Sequence, residues 1–285
     1  GRWDVSASGA ASYSIPIECP VGVNGMMPTV VLCYNSQNGM ANAGWGWCVS
    51  ATSVITKSCA TPYYDEKLVP INSDFDGEFL SLDGQRLLKF AELDDGTTEF
   101  RTENDAYNRI IRIGADGNFQ FVVYTTEGKT MTYKQLVDGK TYYKGNLGWW
   151  LSEVEDSYGN YMTYEYSVSY GSGNVSNVLL SSIRYGGNRN TGVEHTCRVE
   201  FSYDASLLHP MDYVLGGFFK NHYRILSEIR TYADNSLNTR YELSYASNSL
   251  DRRLLSKVRR YGDNGDRLDD LTIEMCKFVT CQELR

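Results

Sequence analysis

The feature that most constrains this fold is a sequence unit that recurs through the second half of the chain. Each copy opens with Leu-Ser and continues, after a gap, into an alternating segment; the clearest copy is Leu226–Tyr232 followed by Arg240–Tyr245. The opening leucines lie at intervals of 29, 46 and 29 residues, at Leu151, Leu180, Leu226 and Leu255. Such a unit buries its apolar face only against its neighbours, so the sequence predicts a scaffold of stacked copies.

The second segment of each copy has the period of a half-buried β-strand. Phe201 and Tyr203 alternate with Glu200 and Ser202, and Tyr245 occupies the place of Tyr203 in the next copy. Side chains two residues apart in a strand share a face. Phe201, Tyr203 and Tyr245 are therefore predicted to pack one face of a sheet.

The first segment does not alternate regularly. Leu226 and Ile229 have opposite parity in a regular strand, which predicts a bulge or a turn just after the leucine. Four residues after three of the leucines stand Arg184, Arg230 and Arg259. We expect these arginines to form a ladder against acidic groups on the neighbouring strand, where exposed pairs contribute about 0.2–1 kcal/mol each.

The spacing of the copies and of the turns defines the expected architecture. Asp-Gly pairs punctuate residues 65–148, as tight hairpin turns require, and predict a meander of consecutively paired strands. An interval of 29 residues is short for a propeller blade of about 40–45. The predicted fold is all-β: a large curved antiparallel sheet of successive hairpins with little or no helix. Residues 205–224, inserted in the longest interval, are predicted to form a loop.

Three segments are expected within what we interpret as one structural domain. Residues 1–60 carry an N-terminal strand and a glycine-tryptophan corner, residues 61–150 form the Asp-Gly meander, and residues 151–285 hold the repeats. In the corner, Gly44 and Gly46 let backbone pass close to backbone while Trp45 and Trp47 cover the contact. Because the repeat still runs near Arg285, the natural protein is expected to continue.

Composition excludes several classes of function. A net charge of −8 and a pI near 5.0 argue against binding nucleic acid or an anionic membrane surface. No apolar run is long enough for a bilayer span, and no export signal stands in this sequence. The net negative charge favours a secreted or cell-surface protein.

The seven cysteines have no C-x-x-C spacing, which argues against a zinc ribbon or a thioredoxin-type site. Their odd number excludes complete pairing within one chain. Buried reduced thiols are the favoured interpretation, and disulfides stay open if the chain is exported.

Candidate sites are few, and each has a structural interpretation. Asp74 and Asp76 alternate as in a calcium loop, but the closing glutamate of an EF-hand is missing, so a hairpin turn is favoured. Trp149 and Trp150 are candidates for a glycan platform; neighbours in a strand point to opposite faces, so at most one contributes, and core packing is favoured. No nucleophile elbow, HExxH motif or phosphate loop occurs, and no catalytic residue, cofactor or metal is predicted.

The order of these motifs resembles a known family. It is similar to the SpvB/TcaC-type N-terminal domain that precedes Rhs or YD-repeat shells in bacterial insecticidal toxin complexes and related secreted proteins. The matching stretches include Tyr13–Ile17, Gly44–Trp47, Leu82–Leu87, Trp150–Asn160, Phe201–Asp204 and Leu226–Ile229. The resemblance implies a β-sheet that spirals into a hollow shell and an N-terminal domain that is not itself catalytic. The corner is shifted relative to the family pattern, and no effector domain lies within the 285 residues.

Two hypotheses of function follow. The first is a non-catalytic structural module, the N-terminal part of a secreted or surface Rhs-like β-shell that encloses or presents a C-terminal effector. Its partners would be the remainder of its own chain and other toxin-complex subunits. The alternative is a surface carbohydrate-binding β module that binds glycans through its aromatic side chains.

Overall fold

A computed structural model describes the greater part of the chain. The described residues are 1–7, 9–71, 79–104, 107–114, 119–136, 148–171, 174–205, 211–215, 218–222, 224–250 and 252–274. Their regular secondary structure is almost entirely antiparallel β-strand, so the predicted all-β class is confirmed.

The first part of the chain forms a small sheet of its own. Four strands pair in the order β1-β2-β3-β6, and two short strands, β4 and β5, pair with each other. A short 3-10 helix, Val23–Gly25, lies between β2 and β3. The strands are β1 Arg2–Val5, β2 Ala11–Pro16, β3 Val31–Asn35, β4 Met40–Ala41, β5 Gly44–Trp45 and β6 Trp47–Ser50.

The middle part is the expected meander, but it closes on itself. Each strand from β7 to β14 pairs with the next, and β14 also pairs with β7, which completes a barrel. The elements are β7 Val54–Lys57, α1 Pro62–Asp65, β8 Leu80–Leu82, β9 Gln85–Glu92, β10 Thr98–Thr102, β11 Arg109–Ile113, β12 Gln120–Tyr124, β13 Lys129–Lys134 and β14 Gly148–Asp156. Consecutive pairing is confirmed, whereas closure was not predicted.

Side chains fill the barrel interior. The ring of Phe121 packs edge-on against Phe100 and Trp149, with centroid distances of 6.1 and 5.0 Å. Ile55 of β7, the register partner of Trp149, and Leu80 of β8 are fully buried. The barrel is therefore a packed core and not a channel.

The repeats build a second sheet on the last strand of the barrel. We call the strands β14-β15-β16-β17-β20-β21-β22-β23, paired in that order, the repeat sheet. Residues 205–224, predicted to be a loop, contain a separate two-stranded ribbon of β18 and β19. The strands are β15 Asn160–Gly171, β16 Asn174–Asn188, β17 Cys197–Asp204, β18 Met211–Leu215, β19 Phe218–His222, β20 Ile225–Ala233, β21 Ser236–Ser247, β22 Arg253–Tyr261 and β23 Arg267–Thr272.

Strand β14 belongs to both the barrel and the repeat sheet. Its residues Gly148–Trp150 pair with β7, and its residues Glu153–Glu155 pair with β15. Strand β13 runs along its other side. Leu151 and Ser152 lie between the two halves, where the strand changes partner.

Each Leu-Ser pair forms a β-bulge. At Leu226, the register passes from Ser202 opposite Glu228 to Tyr203 opposite Leu226, so Ser227 is the extra residue. The other three copies have the same shift. The bulge brings Leu226 and Ile229 onto one face, where both are fully buried, and the predicted bulge is confirmed.

The serine of each bulge donates a hydrogen bond to a carbonyl on the preceding strand. The acceptor is always the residue just before the tyrosine that faces the leucine. The bonds run from Ser152 to Thr132 (2.9 Å), Ser181 to Glu165 (2.9 Å), Ser227 to Ser202 (3.1 Å) and Ser256 to Ser244 (3.0 Å). A group that the bulge removes from the ladder is thereby satisfied within the unit.

In three of the units a tyrosine hydroxyl then joins the two strands of the unit. Each tyrosine faces the leucine of the next copy and donates to the carbonyl of the leucine in its own copy, so that it spans three strands. We call this bond the tyrosine clasp. The clasps join Tyr166 to Leu151 (2.7 Å), Tyr203 to Leu180 (3.0 Å) and Tyr245 to Leu226 (2.5 Å). The corresponding position of the fourth copy is occupied by Met275.

We predict that Tyr245→Phe lowers the free energy of unfolding by about 1–3 kcal/mol, because the Leu226 carbonyl loses its donor in a buried setting. Tyr63→Phe is the matched control, since Tyr63 is 86% exposed, and should change it by less than about 0.5 kcal/mol. Urea denaturation measures both. Equal effects of the two substitutions would contradict the clasp.

The clasps also predict loss of stability in alkali. Burial raises the pKa values of Tyr166, Tyr203 and Tyr245 above the ordinary value of about 10. The unfolded chain therefore ionises first, so stability is complete below pH about 10 and is lost as pH rises through the folded pKa values. Each tyrosine contributes a slope of about 1.4 kcal/mol per pH unit. Urea denaturation across that range should show a shallower slope for Tyr245→Phe, and an unchanged slope would refute the prediction.

Candidate functional site

The loop between β2 and β3, residues 17–30, crosses the apolar face of the repeat sheet; we call it the strap. Its residues Ile17, Met26 and Val30 are buried in the same core as Tyr185 and Val199 of the sheet. Without the strap these sheet residues would face water. In the described part of the chain, the face is therefore covered by the protein itself.

Two buried tyrosines of the sheet hold the backbone of the strap. The Tyr185 hydroxyl donates to the Pro20 carbonyl at 2.8 Å, and the Tyr241 hydroxyl accepts from the Glu18 N–H at 3.1 Å. Burial raises the pKa of both phenols, so they remain neutral hydrogen-bonding groups at neutral pH. The strap is thus fixed to β16 and β21 by its main chain.

Polar side chains extend the attachment to both ends of the repeat sheet. The Glu18 carboxylate forms a two-pronged ion pair with Arg260 on β22, with one Nη1–Oε1 distance of 3.0 Å. Asn24 donates to the Asp156 carboxylate on β14 at 3.4 Å. Together with the tyrosines, these bonds connect the strap to one strand from each of the four copies.

The glycine-tryptophan corner lies where the small sheet meets the repeats. Trp47 is 1% exposed and packs against the ring of Tyr34 at 5.3 Å. Trp45 is partly buried, with the Arg252 guanidinium 3.7 Å above its ring. Gly46 has φ +78°, and a Cβ there would lie 2.6 Å from the ring of Tyr34.

The corner also reaches the third tyrosine clasp. Gly44 has φ +101°, and a Cβ there would lie 2.9 Å from the Arg253 carbonyl and 3.2 Å from the ring of Tyr245. The neighbouring Asn42 carbonyl accepts from the Leu226 N–H at 2.7 Å. Backbone and clasp therefore meet at a distance that only glycine permits.

The opposite face of the repeat sheet is polar. Two of the three recurring arginines contact an acid on the neighbouring strand: Arg184 lies 3.5 Å from Glu165, and Arg259 lies 3.1 Å from Glu242. The third was predicted wrongly. Arg230 pairs at 2.6 Å with Glu228 of its own strand, because residues two apart share a face.

A groove on this polar face contains His195. Its Nε2 is 3.1 Å from the Thr163 hydroxyl, and its ring lies 4.3 Å from that of Tyr161. Burial lowers its pKa, so the imidazole is neutral at pH 7. Arg184 and Glu165, which also line the groove, are paired with each other. The groove offers paired charges and a histidine positioned by the Thr163 hydroxyl.

The two tryptophans of β14 do not form a shared platform. Trp149 is 2% exposed, lies inside the barrel and donates its indole N–H to the Phe119 carbonyl at 2.8 Å. Trp149 is therefore excluded as a glycan-platform residue and packs in the core, the interpretation that the sequence favoured. Trp150, which points to the other face, is partly buried.

Asp74 and Asp76 lie outside the described residues. Among the residues that are described, no group of three or more histidine, cysteine or acidic side chains is arranged to hold a metal ion. Those residues likewise include no helix with the length and apolar character of a membrane span.

The strap and its tyrosines were missed in the sequence. The local signal was three separated apolar residues, Ile17, Met26 and Val30, which belong to no strand of the structure. The partners Tyr185 and Tyr241 lie at inward-facing positions of their strands. The alternation of a strand shows which face a tyrosine occupies, but it does not show which backbone group its hydroxyl will bond.

We predict that Gly44→Ala lowers the free energy of unfolding by about 1–3 kcal/mol, because the new methyl group meets the Arg253 carbonyl at positive φ. Gly39→Ala is the matched control, since a Cβ at Gly39 has no neighbour within 4 Å, and its effect should stay below about 0.5 kcal/mol. Thermal and urea denaturation measure both variants. A Gly44→Ala protein as stable as Gly39→Ala would refute the close approach.

Solved structures with a similar fold were found for the chain. The chain is similar to the crystal structure of TcdB2-TccC3, with a TM-score of 0.73 and 16% identity, over 96% of this chain and 16% of that chain. It is similar to the N-terminal domain of effector protein SpvB from Salmonella typhimurium strain LT2, with a TM-score of 0.68 and 14% identity, over 87% of this chain and 98% of that one. The Photorhabdus luminescens Tc holotoxin pore gives 0.69 and 16%, over 91% and 15%.

These identities establish a shared fold, and the chain spans about 16% of the TcdB2-TccC3 chain that it matches. No curated protein sequence matches it. The family model described as SpvB, Salmonella virulence plasmid 65kDa B protein, matches residues 5–196, which is more than half of the chain and confirms the resemblance. The chain therefore belongs to the SpvB family.

Proposed function

We propose that this chain is a non-catalytic structural module, the N-terminal cap of a secreted or surface β-shell that encloses or presents a C-terminal effector. One observation carries the proposal. Closure of the barrel through β7 and β14 leaves β23 as the only free edge of the 15-stranded sheet in the described part of the chain. A sheet that is closed at one end extends in one direction only.

The strand at that edge carries charged side chains. Its Asp270 carboxylate lies 2.8 Å from Lys257 on β22, and Asp269 lies 3.8 Å from Arg260. These charges keep an edge soluble until a further strand pairs with it. We infer that the remainder of the natural chain adds further hairpins to β23, so that the chain's own continuation is its first partner.

The packing of the module fits a cap. The barrel interior and the apolar face of the repeat sheet are both filled, by side chains and by the strap. The space for an effector would therefore lie beyond β23, in the part of the shell that the later hairpins form.

The family supports a toxin-related role. TcdB2-TccC3 and the Tc holotoxin are toxin-complex structures, and SpvB is an effector. By analogy, we infer export from the cell and association with other toxin-complex subunits. The glycan-binding alternative gains no support from the predicted platform, because Trp149 is buried.

Protection of the C-terminal segment tests the proposal in the full natural chain. Ile55→Asp places a charge in the closed barrel at a fully buried position of β7, and should speed protease digestion of that segment roughly tenfold or more. Val193→Asp, at a position that is 48% exposed, is the control and should leave the rate unchanged. Equal digestion of the segment in both variants and in the unaltered chain would overturn the proposal.

A further inference from the structure

Two cysteines meet where the strap crosses the repeat sheet. Cys19 lies in the strap between Glu18 and Pro20, whose backbone groups are bonded to the Tyr241 and Tyr185 hydroxyls. Cys197, on β17, is the register partner of Tyr185, so its side chain shares the face that the strap covers. Both thiols are partly buried and pack against the same core.

The Tyr185 hydroxyl connects the two thiols. It donates to the carbonyl of Pro20, the residue next to Cys19, and its pKa is raised first by burial and then by the neighbouring Cys19 and Cys197 thiols. The two thiols also interact with each other: burial first, and then Cys197, raises the pKa of Cys19 to about 12. The bond from Tyr185 to the Pro20 carbonyl and the pairing of Tyr185 with Cys197 thus bring the two cysteines to the same place in the fold, although they are 178 positions apart in sequence.

From this geometry we propose that Cys19 and Cys197 form a disulfide that fastens the strap to the repeat sheet in an oxidising compartment. The oxidant is a thiol-disulfide oxidoreductase or a small disulfide such as oxidised glutathione. The Cys197 thiolate attacks the glutathione disulfide and releases one glutathione, which leaves a mixed disulfide on Cys197. The Cys19 thiolate then attacks the Cys197 sulfur and displaces the second glutathione. One S–S bond forms as another breaks, and each cysteine loses a proton.

The order of attack follows from burial. A thiol with a pKa near 12 is rarely ionised, so Cys19 is a poor first nucleophile for an external disulfide. Its attack on the mixed disulfide is intramolecular, and the fixed strap supplies the proximity that ionisation does not. The bond would close a very long loop, for which chain entropy predicts a large stabilisation.

The methionines of the chain allow a direct test. Cleavage after methionine with cyanogen bromide places Cys19 alone in fragment 1–26, Cys197 alone in fragment 163–211, and Cys33, which faces Cys48 across β3 and β6, in fragment 28–40. The chain 1–285 is refolded with oxidised glutathione, its remaining thiols are alkylated in denaturant, and its fragments are weighed by mass spectrometry. We expect fragments 1–26 and 163–211 to be joined. Alkylated Cys19, or Cys19 joined to another fragment, would overturn the proposal.

Variants add a second measurement. Oxidation should raise the Tm by about 5–15 °C relative to the reduced protein, and Cys197→Ser should abolish this difference. Cys59→Ser is the matched control, since Cys59 is exposed, and should retain it. A Cys197→Ser protein that still gains Tm on oxidation would overturn the proposal. Neither readout depends on the shell function.

Discussion

The rest of the structure depends on the Leu-Ser bulge and the tyrosine clasp that accompanies it. A regular strand would place Leu226 and Ile229 on opposite faces, and the extra residue at Ser227 places both in the core. The serine hydroxyl satisfies the carbonyl that the bulge disturbs, and the tyrosine hydroxyl satisfies the leucine carbonyl on the adjacent strand. One unit thus fixes the strand register, buries the apolar side chains and satisfies the backbone carbonyls, which explains why the unit can be repeated along the chain.

The same face then becomes the surface on which the start of the chain is fixed. The strap has little regular structure of its own, and its backbone groups are bonded to hydroxyls that the sheet presents. Tyrosine suits this role because its ring fills the core while its hydroxyl reaches a polar group at the far edge. At the corner, Gly44 reaches Tyr245, so the small sheet touches a clasp directly.

Local features of the fold could be predicted from the sequence, whereas closure of the barrel could not. Alternation gave the strands, and a parity break at Leu226 gave the bulge. The pairing of β7 with β14 joins Ile55 to Trp149 across a long stretch of chain, and no local pattern marks it. For the same reason, adjacency showed that Trp149 and Trp150 face opposite ways, but only closure decides which is inside. The prediction for Arg230 failed because Glu228, an acid on its own strand, competes with acids on the neighbouring strand for the guanidinium.

Strand β14, which the barrel and the repeat sheet share, makes the two parts interdependent in assembly. Its first half has its alignment set by β7, and its second half sets the alignment of β15. A slip of one residue in the barrel would turn the faces of every later hairpin inside out. The barrel thus fixes the register of the first hairpin. Each later hairpin in the array of near-identical hairpins then takes its inward and outward faces from the one before it.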